Sequence, residues 1–519
     1  MQPDFDFDRT SDKAFQRIHS WIDECQSSHQ KCLSPAEVKL PDRVLYIADE
    51  NDPRLVWTDK QSKGQYAALS YCWGGDQTHK LLKSRVEGYK KQIPISELPA
   101  TITDAIRVSK KIGLKYLWID SLCIIQDDEE DRFEQINQMR NIYNFAFATI
   151  AVGTASSVTQ GFLSRNEPLL WSPRIQLRCP NDSIGQIKIY SVNGRETIKY
   201  DPLQHALDSR AWTLQERVLS PRVIVYSANT IHWLCNTKEE AYSLYISDSP
   251  FGLSSRTPDV LGETETPEKL RTWWAQLVWD YSSRSLTSAT DKLPAIAGLA
   301  DEYSKISGDE YLAGLWKSQL PRDLLWRIEP PGTDRKRKMF GRRIPPPIVP
   351  HHPRPTEYCA PSWSWASVAD RVKFAEFDRS PVTECELLEY RIAPLRQSVP
   401  LSFGSIVRGE LHMRARIRRG TWKPGEVTLS DTSDNSTLPN IRVLPDSENE
   451  IEEECKVILM GVTQAEDLLL LPEGETLKDS KLSKPFFKRV GLVSFSFFGQ
   501  RSTLPDVWEG EERMDLVII

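Results

Sequence analysis

The amino-acid sequence predicts an α/β protein: a parallel sheet with helices on both faces, further helical segments and a β-rich C-terminal unit. Between residues 66 and 152, short apolar runs alternate with amphipathic stretches in the order β-α-β-α-β. Helical periodicity dominates residues 268–326, and residues 401–519 alternate short apolar runs with polar turns. These patterns are typical of a parallel sheet, a packed helical layer and a β-rich unit, respectively.

The length of the chain indicates several units. With 519 residues it exceeds the usual allowance of about 100–200 residues per domain. Composition and periodicity predict five segments: an N-terminal helical segment (1–60), an α/β domain (61–240), a helical region packed on that domain (241–335), a basic and proline-rich linker (336–356) and the β-rich unit (357–519).

The sheet of the α/β domain is predicted from three apolar strands, at residues 66–71, 116–119 and 147–152. A helix near residues 102–109, which Gly113 can end in a left-handed cap, joins the first two strands. A helix over residues 129–143 joins the second strand to the third. Strands connected through helices in this way lie parallel in one sheet.

Two more strands are expected later in the domain, at residues 222–226 and 230–235. An insertion at about residues 154–207 precedes them, with extended segments expected near residues 175–177 and 187–190. The domain is therefore expected to close near residue 240.

The N-terminal segment is predicted to contain a helix with one buried face. Its inward positions follow one another at alternating steps of three and four residues, at Phe15, Ile18, Ile22, Cys25, His29 and Cys32. This spacing brings all six to one side of an α-helix.

Composition limits the classes of protein to which the chain can belong. Charged residues make up 27% of the chain and the mean hydropathy is -0.45, the balance of a folded soluble protein. No apolar run approaches the roughly 20 residues that cross a bilayer, and the first residues have neither the basic nor the apolar region of a secretory signal. Nine cysteines without paired spacing fit reduced thiols. We therefore expect a cytoplasmic protein without a membrane partner.

Nucleic-acid binding is not expected from the overall charge. A net charge of -6 does not attract polyanions, so such binding needs a local basic patch. The strongest patch, residues 335–338 with Arg342 and Arg343, runs into a proline-rich stretch at residues 344–355. A solvated linker is the favoured interpretation, and a nuclear-localisation or binding segment is the alternative.

Three sequence blocks carry a family resemblance: LSYCWGG at residues 69–75, YLWIDSLCIIQD at residues 116–127 and SRAWTLQER at residues 209–217. In this order they resemble the heterokaryon-incompatibility (HET) domain, which we place at about residues 66–235, a third of the chain. The resemblance implies a fungal protein that acts in allorecognition and programmed cell death.

HET domains are in turn similar to TIR domains, α/β signalling modules of which some hydrolyse NAD. The implied fold is a TIR-like or flavodoxin-like parallel sheet. In TIR domains an early strand ends in a Ser-Tyr pair, which Ser70 and Tyr71 match. A later TIR helix carries a Trp followed four residues on by the catalytic Glu, and Trp212 and Glu216 have the same spacing. The insertion before Ser209 departs from the compact TIR pattern.

The candidate site lies at the carboxyl ends of the strands, because connecting loops and helix N-termini converge there in an open parallel sheet. Gly74 and Gly75 would let the backbone approach a phosphate closely, and Trp73 or Trp212 could stack on a nicotinamide or adenine ring. The full set of expected nucleotide-binding residues is Ser70, Tyr71, Trp73, Gly74, Gly75, Asp120, Arg210 and Trp212.

Glu216 is the expected catalytic residue. Cleavage of the bond between nicotinamide and ribose develops positive charge on the sugar, while the ring leaves as a neutral base that needs no general acid. One carboxylate, Glu216, can stabilise that charge, and Arg210 can hold a diphosphate in a charge-assisted pair. NAD is thus expected as a substrate, and no cofactor is predicted.

Structural interpretations of the same residues remain open. Residues 213–216 also fit a capping box in which Glu216 reaches back to a backbone amide. Asp120 at a strand end can cap the next turn. Cys72 and Cys123 are better explained as small buried hydrophobic residues than as nucleophiles, because no histidine motif pairs with either.

A metal site is not predicted, although three potential ligands stand close together. Cys25, His29 and Cys32 match a Cys-His-Cys group that HET proteins often carry near the start. A structural zinc ion normally needs a fourth ligand, none is evident nearby in the sequence, and core packing explains the same spacing. Trp363 and Trp365 are likewise expected to pack between domains rather than to bind a ligand.

The sequence therefore predicts a heterokaryon-incompatibility effector of allorecognition and cell death, with a TIR-like site that binds and hydrolyses NAD. Self-association or a protein partner is expected to activate it. The alternative is a non-catalytic module that signals by self-association or by binding a partner.

Overall fold

The computed structural model divides the chain into two compact units, Met1–Glu263 and Thr264–Ile519. The residues that it describes are 8–32, 37–49, 51–59, 61–164, 174–178, 184–188, 206–227, 230–241, 266–329, 352–374, 384–395, 404–423, 426–429, 441–447, 454–463, 466–472, 485–495, 508 and 513–519. The predicted basic patch at residues 335–343 lies outside these ranges. The predicted division into five segments stays a prediction.

Eight α-helices occur in the described ranges: α1 Asp12–Ser28, α2 Val86–Lys91, α3 Ala100–Lys111, α4 Asp120–Cys123, α5 Glu129–Phe145, α6 Trp212–Leu219, α7 Pro267–Ser282 and α8 Ala297–Ser307. The last two belong to the second unit. Within those ranges, every helix is too short or too polar to cross a bilayer.

The first unit contains twelve described strands: β1 Val38–Lys39, β2 Arg43–Tyr46, β3 Arg54–Trp57, β4 Lys63–Gly64, β5 Tyr66–Ser70, β6 Tyr116–Trp118, β7 Ala148–Val152, β8 Arg174–Arg178, β9 Ile184–Lys188, β10 Arg222–Tyr226, β11 Ile231–Cys235 and β12 Glu239–Ala241. Eight of them form one sheet in the order β12-β11-β10-β7-β5-β6-β2-β3.

The α/β fold class is confirmed, and the sheet is mixed. The three strands predicted to be parallel, β5, β6 and β7, do run parallel, and β10 joins them as a parallel neighbour of β7. Pairs β10-β11, β11-β12, β6-β2 and β2-β3 are antiparallel. Every residue of β5, β7, β10 and β11 is buried, which is why these strands appear in the sequence as continuous apolar runs.

Capping residues fix where the helices beside this sheet begin and end. The carboxylate of Asp128 accepts from the amides of Glu130 and Asp131 and so caps α5. Gly113, with φ +87°, provides the left-handed turn after α3 that the sequence predicts. Helix α3 contacts β6, and α6 contacts both β5 and β7. These contacts place α6 beside the central strands.

The N-terminal helix is shorter than its apolar stripe. Helix α1 begins after Ser11, whose hydroxyl accepts from the amide of Ala14, and it ends at Ser28. Cys32 lies in a following 3-10 turn, residues 30–32. Trp21 on α1 stacks on Trp233 of β11 at 6.3 Å between ring centroids, so the helix packs against the antiparallel part of the sheet.

The insertion contains the antiparallel pair β8 and β9. This pair accounts for the predicted extended segment at residues 175–177 and for part of the one at residues 187–190. Residues 189 and 190 lie outside the described ranges.

The second unit contains a β-rich C-terminal part, as predicted. Its described strands are β13 Tyr311–Leu312, β14 Leu315–Trp316, β15 Arg327–Ile328, β16 Val372–Lys373, β17 Cys385–Pro394, β18 Ile406–Lys423, β19 Glu426–Leu429, β20 Ile441–Pro445, β21 Cys455–Gly461, β22 Glu466–Pro472, β23 Phe486–Phe495 and β24 Arg513–Ile518. The main sheet has the order β17-β18-β21-β22-β23-β20, with β24 pairing β18 and β23.

Tryptophans fill much of the core of this unit. Trp363 and Trp365 are fully buried, and their indole N–H groups donate to the carbonyls of Gly409 and Gly314. Gly314 has φ +102°, and a side chain there would overlap Trp365. Both tryptophans therefore pack inside the second unit.

Candidate functional site

The predicted site residues meet at the carboxyl ends of the central strands. Ser70 is the last residue of β5, and the loop of residues 71–75 follows it. Asp120 begins α4 just after β6. Because β5 and β6 are parallel neighbours, their ends lie at the same edge. Helix α6 contacts β5 and brings Glu216 to this edge.

Glu216 is buried, with 7% of its surface exposed. The hydroxyls of Ser70 and Tyr143 lie beside its carboxyl group and favour its anion. Burial raises the pKa of Glu216 to about 7, and the Ser70 hydrogen bond and the positive charge of Arg210 oppose the rise. The nearby negative charge of Asp120 adds to it. Near neutral pH this carboxyl group therefore exchanges between its acid and its anion.

The capping box is not the arrangement that forms. Helix α6 begins at Trp212 with Ala211 as its N-cap, so Thr213 is already helical. The hydroxyl of Thr213 donates to the carbonyls of Leu207 and Arg210, at 2.7 and 2.8 Å. Glu216 instead turns toward the end of β5, which leaves its carboxyl group at the sheet edge.

Asp120 is held by two donors. The indole N–H of Trp73 donates to one carboxylate oxygen at 2.7 Å, and the amide of Ser121 donates to the other at 2.7 Å. Burial raises the pKa of Asp120, while Arg210 and Trp73 oppose the rise. Asp120 thus both begins a helical turn and belongs to the charged cluster at the sheet edge.

Arg210 connects the loop after β5 to the two carboxyl groups. One guanidinium nitrogen donates to the carbonyl of Tyr71 at 2.5 Å. Its positive charge acts on both Asp120 and Glu216 and opposes the rise of their pKa values. The cluster therefore contains one guanidinium and two carboxyl groups, and it carries one net negative charge when both carboxyl groups are ionised.

Tyr71 is a buried member of the same network. Its hydroxyl donates to the Ser121 hydroxyl at 2.8 Å and accepts from the Gln77 side-chain amide at 3.1 Å. Burial raises the pKa of Tyr71 well above its usual value, with the Asp120 charge adding to the effect. Tyr71 therefore acts as a neutral hydrogen-bonding group at the site.

The two glycines of the loop differ in their surroundings. Gly74 has φ +74°, and a Cβ atom there would lie 2.5 Å from the Cα atom of Ser157. Gly75 has φ +117° with open space beside it. Gly74 is thus required by the turn itself, whereas Gly75 leaves the backbone accessible. Trp73 is partly exposed at the same loop.

Trp212 and the two cysteines complete the set of sequence candidates. Trp212 is partly buried and lies one helical turn before Glu216, on the same face of α6. Cys72 and Cys123 are buried, and burial raises the pKa of both thiols, that of Cys123 to about 12. Both thiols stay protonated at neutral pH, which fits packing rather than nucleophilic roles.

Tyr143, Ser121 and Gln77 join the site without having been singled out as site residues. Tyr143 is buried on α5, and its hydroxyl donates to the carbonyl of Leu69 at 3.1 Å. The sequence does place Tyr143 on the inward face of its helix. An inward-facing tyrosine in the helix that precedes β7, next to β5 with its terminal Ser70-Tyr71 pair, could have been predicted to contact the site.

Two cavities lined by described residues lie elsewhere. One of about 120 Å³ is beside Tyr66, at the opposite end of β5 from Ser70. The other, of about 430 Å³ in the second unit, is lined in part by Asp309, Glu310 and Tyr390. The candidate site is thus defined by its charged cluster at the strand ends.

The fold and the site together define an α/β domain with a buried carboxyl group and an arginine at the ends of parallel strands. The sequence model of the heterokaryon incompatibility protein (HET) family matches residues 66–216. These limits run from the first residue of β5 to Glu216, and they enclose every residue of the candidate site. The match to the HET family is thus carried by residues 66–216, which are less than half of the chain.

One curated relative is the heterokaryon incompatibility protein 6, OR allele, of Neurospora crassa. It is 32% identical over 93 residues, a match that covers 16% of this chain and 14% of the relative. The chain therefore shares only a small part of that protein's length. No solved structure matches the chain.

Proposed function

We propose that this chain acts in fungal heterokaryon incompatibility, where it promotes cell death, and that its strand-end site binds and cleaves NAD. The HET domain and the Neurospora relative support the first part. The observation that carries the second part is the placement of Glu216, a buried carboxyl group beside Arg210 at the ends of parallel strands. Nucleotides bind at this edge in open α/β sheets.

The reaction needs an anion that stabilises the positive sugar, and it needs no general acid for the leaving group. The bond between the nicotinamide nitrogen and the ribose breaks, and its electron pair leaves with the ring, which becomes neutral nicotinamide. Water adds to the sugar cation and releases a proton, so the products are nicotinamide, ADP-ribose and a proton. The ionised carboxylate of Glu216 stabilises the positive sugar during this step.

The neighbouring side chains bind the other parts of NAD. Arg210 supplies a cation for the diphosphate, and Trp73 offers an aromatic face at the exposed loop. Burial of the cluster strengthens each of these electrostatic contacts relative to water. The hydroxyl groups of Ser70 and Tyr143 beside the Glu216 carboxyl group favour its anion.

A non-catalytic interaction module is the second candidate, favoured by one observation. The hydrogen bonds among Trp73, Asp120, Tyr71 and Ser121 form within the chain, without a ligand. Such a network can serve only to fix the core. In that case the chain acts by self-association or by binding a protein partner.

Release of nicotinamide separates the two candidates. The full chain is incubated with NAD over a range of protein concentrations, with a crowding agent to promote assembly, and nicotinamide is quantified. The catalytic proposal expects release by the wild type and a loss of about 100-fold or more in Glu216→Gln. Glu97→Gln, which changes an exposed carboxylate of the same unit, is the matched control and keeps wild-type activity.

Two results would overturn the catalytic proposal. One is equal release by the wild type and by Glu216→Gln, which removes the carboxylate from the reaction. The other is no release from an assembled wild type, which favours the interaction module.

A further inference from the structure

Three thiols and one imidazole converge where the N-terminal helix meets the sheet. The ligand atoms of Cys25, His29, Cys32 and Cys235 all lie within 4.8 Å of one another. All four residues are buried, the histidine with 9% of its surface exposed and each cysteine with 1% or less. The three residues named in the sequence analysis are thus joined by a fourth from the distant strand β11.

The donor set and its spacing fit a zinc ion. Three cysteines with one histidine form one of the common structural zinc sites, with tetrahedral geometry and Zn–S distances of about 2.3 Å. Ligand atoms on such a tetrahedron lie about 3.5–3.8 Å apart. The Nδ1 atom of His29 lies 3.4 Å from the Sγ atom of Cys235, close to that separation.

Each sulfur atom also faces a donor outside the cluster. The Nε atom of Arg222 lies 3.3 Å from Cys25 Sγ, and the backbone amide of Lys238 donates to Cys235 Sγ at 3.3 Å. The Thr237 hydroxyl lies 3.4 Å from Cys32 Sγ. Donors in these positions stabilise the thiolate form that binds a metal ion.

The charges balance when a divalent ion is included. Three thiolates and Zn²⁺ carry one net negative charge, and the guanidinium of Arg222 carries one positive charge. Arg222 is 1% exposed and is fixed by the carbonyls of Cys32, at 2.6 Å, and Phe147, at 3.2 Å. A buried ionic cluster is stable only when it is compensated in this way.

The imidazole is oriented for coordination through Nδ1. Its other nitrogen, Nε2, faces a carboxylate oxygen of Glu24 at 3.8 Å. Glu24 is in turn bound by the ammonium group of Lys238 at 2.7 Å. A carboxylate on the far side of a histidine ring is the usual partner of metal-binding histidines, because it fixes the tautomer that leaves the first nitrogen free.

We propose that Cys25, His29, Cys32 and Cys235 bind one zinc ion, which fastens α1 and the following turn to the end of β11. Binding displaces one proton from each of the three thiols. The ligands lie on both sides of residues 66–216, the part that matches the HET family. The ion therefore links the N-terminal segment, which precedes the matched region, to β11, which follows it.

Elemental analysis of the purified full chain tests the site. The protein is produced with zinc in the medium and purified without chelator, and zinc is expected at about one ion per chain. Co²⁺ exchanged into the wild type is expected to give the visible absorption bands of tetrahedral thiolate coordination. This measurement needs no variant, so it holds even where a substitution prevents folding.

Matched alanine variants assign the ligands. Cys32→Ala and Cys235→Ala are expected to lose at least about 80% of the zinc. Cys123→Ala changes a cysteine of the same unit that is equally buried but lies outside the cluster, and it keeps the ion. His29→Cys replaces the imidazole by a fourth thiolate and is expected to retain zinc.

Three outcomes would overturn the zinc proposal. They are a wild type with less than about 0.2 zinc per chain, a disulfide between two of the clustered cysteines found by mass spectrometry of the purified protein, and zinc content that is the same in Cys235→Ala as in the wild type. The first two would leave the cluster as a packed group of thiols, and the third would place the ion elsewhere.

Discussion

The indole N–H of Trp73 donates to a carboxylate oxygen of Asp120 at 2.7 Å and so ties the loop after β5 to the start of α4. The two residues come from separate sequence blocks, and each follows one of two parallel strands. Their contact shows how distant blocks combine at one edge of the sheet. The loop that carries Gly74 and Gly75 is held by this hydrogen bond and by the one from the Val158 amide to the Trp73 carbonyl.

Removal of that hydrogen bond is expected to weaken the domain. Trp73→Phe keeps an aromatic ring but leaves the Asp120 oxygen without its indole donor. A hydrogen bond to a charged group contributes about 1.5–3 kcal/mol, and we expect a loss in this range in the free energy of unfolding, measured with urea. Trp57→Phe, at a tryptophan that is 38% exposed, is the control and loses less than about 0.5 kcal/mol. Equal losses in both variants would contradict the structural role of the Trp73–Asp120 contact.

The rate of nicotinamide release is expected to depend on the ionisation of Glu216. Only the anion stabilises a sugar cation, and the pKa of Glu216 is about 7 because of burial. The rate should therefore rise about tenfold per pH unit below that pKa and level off above it. A rate profile of the wild type between pH 5 and pH 9 measures this. A rate that falls as pH rises through 7 would show that the protonated acid is the active form.

The same carboxyl group is expected to make stability depend on pH. Its folded pKa of about 7 lies above its usual value of 4.5, so the unfolded chain releases the proton first and stability falls as pH rises between the two values. At about 1.4 kcal/mol per pKa unit, the wild type should lose about 2–3 kcal/mol between pH 5 and pH 8 relative to Glu216→Gln.

Urea unfolding of both proteins at the two pH values measures this difference, and other titrating groups cancel in the comparison. The prediction fails if the two proteins change in parallel, because Glu216 would then have the same proton affinity in the folded and the unfolded chain.

Gly74 and Gly113 both adopt the left-handed backbone conformation, so the effects of alanine at the two positions on stability can be compared. Alanine at either residue adopts an unfavourable backbone conformation, at a cost of about 1–2 kcal/mol. At Gly74 the new Cβ would also overlap Ser157, whereas at Gly113 it meets open space. Gly74→Ala should therefore lose about 1–3 kcal/mol more than Gly113→Ala in thermal or chemical unfolding. Similar losses would mean that the loop moves away from Ser157 at little cost.

The central strands could be predicted because burial on both faces leaves a continuous apolar run. The runs at residues 66–71 and 116–119 need no knowledge of the partner strands, and the observed strands β5 and β6 differ from them by one residue each. The short strands β2 and β3 were not predicted; they pair antiparallel with each other beyond β6, and β3 is the edge strand. The position of β2 and β3 in the sheet depends on the strands with which they pair, and the local sequence pattern does not identify those strands.

The sequence was sufficient to predict which residues belong to the candidate site, but not which of them contact one another. Ser70, Asp120 and Glu216 each stand at a strand end or on the helix that follows the insertion, which periodicity can locate. The electrostatic interaction between Tyr143 and Glu216 depends on how α5 and α6 pack, which no local spacing encodes. Cys235 likewise joins the N-terminal cysteines only through the pairing of β11 in the sheet.

A structure of the chain with an NAD analogue that has carbon in place of the ribose ring oxygen next to nicotinamide tests the central claim most directly. This analogue cannot form the sugar cation, so it remains intact. The account predicts a ribose hydroxyl within about 3.2 Å of the Glu216 carboxylate and the diphosphate beside Arg210. Analogue bound at another surface, or Glu216 still closed against Ser70 and Tyr143 at saturating analogue, would contradict it.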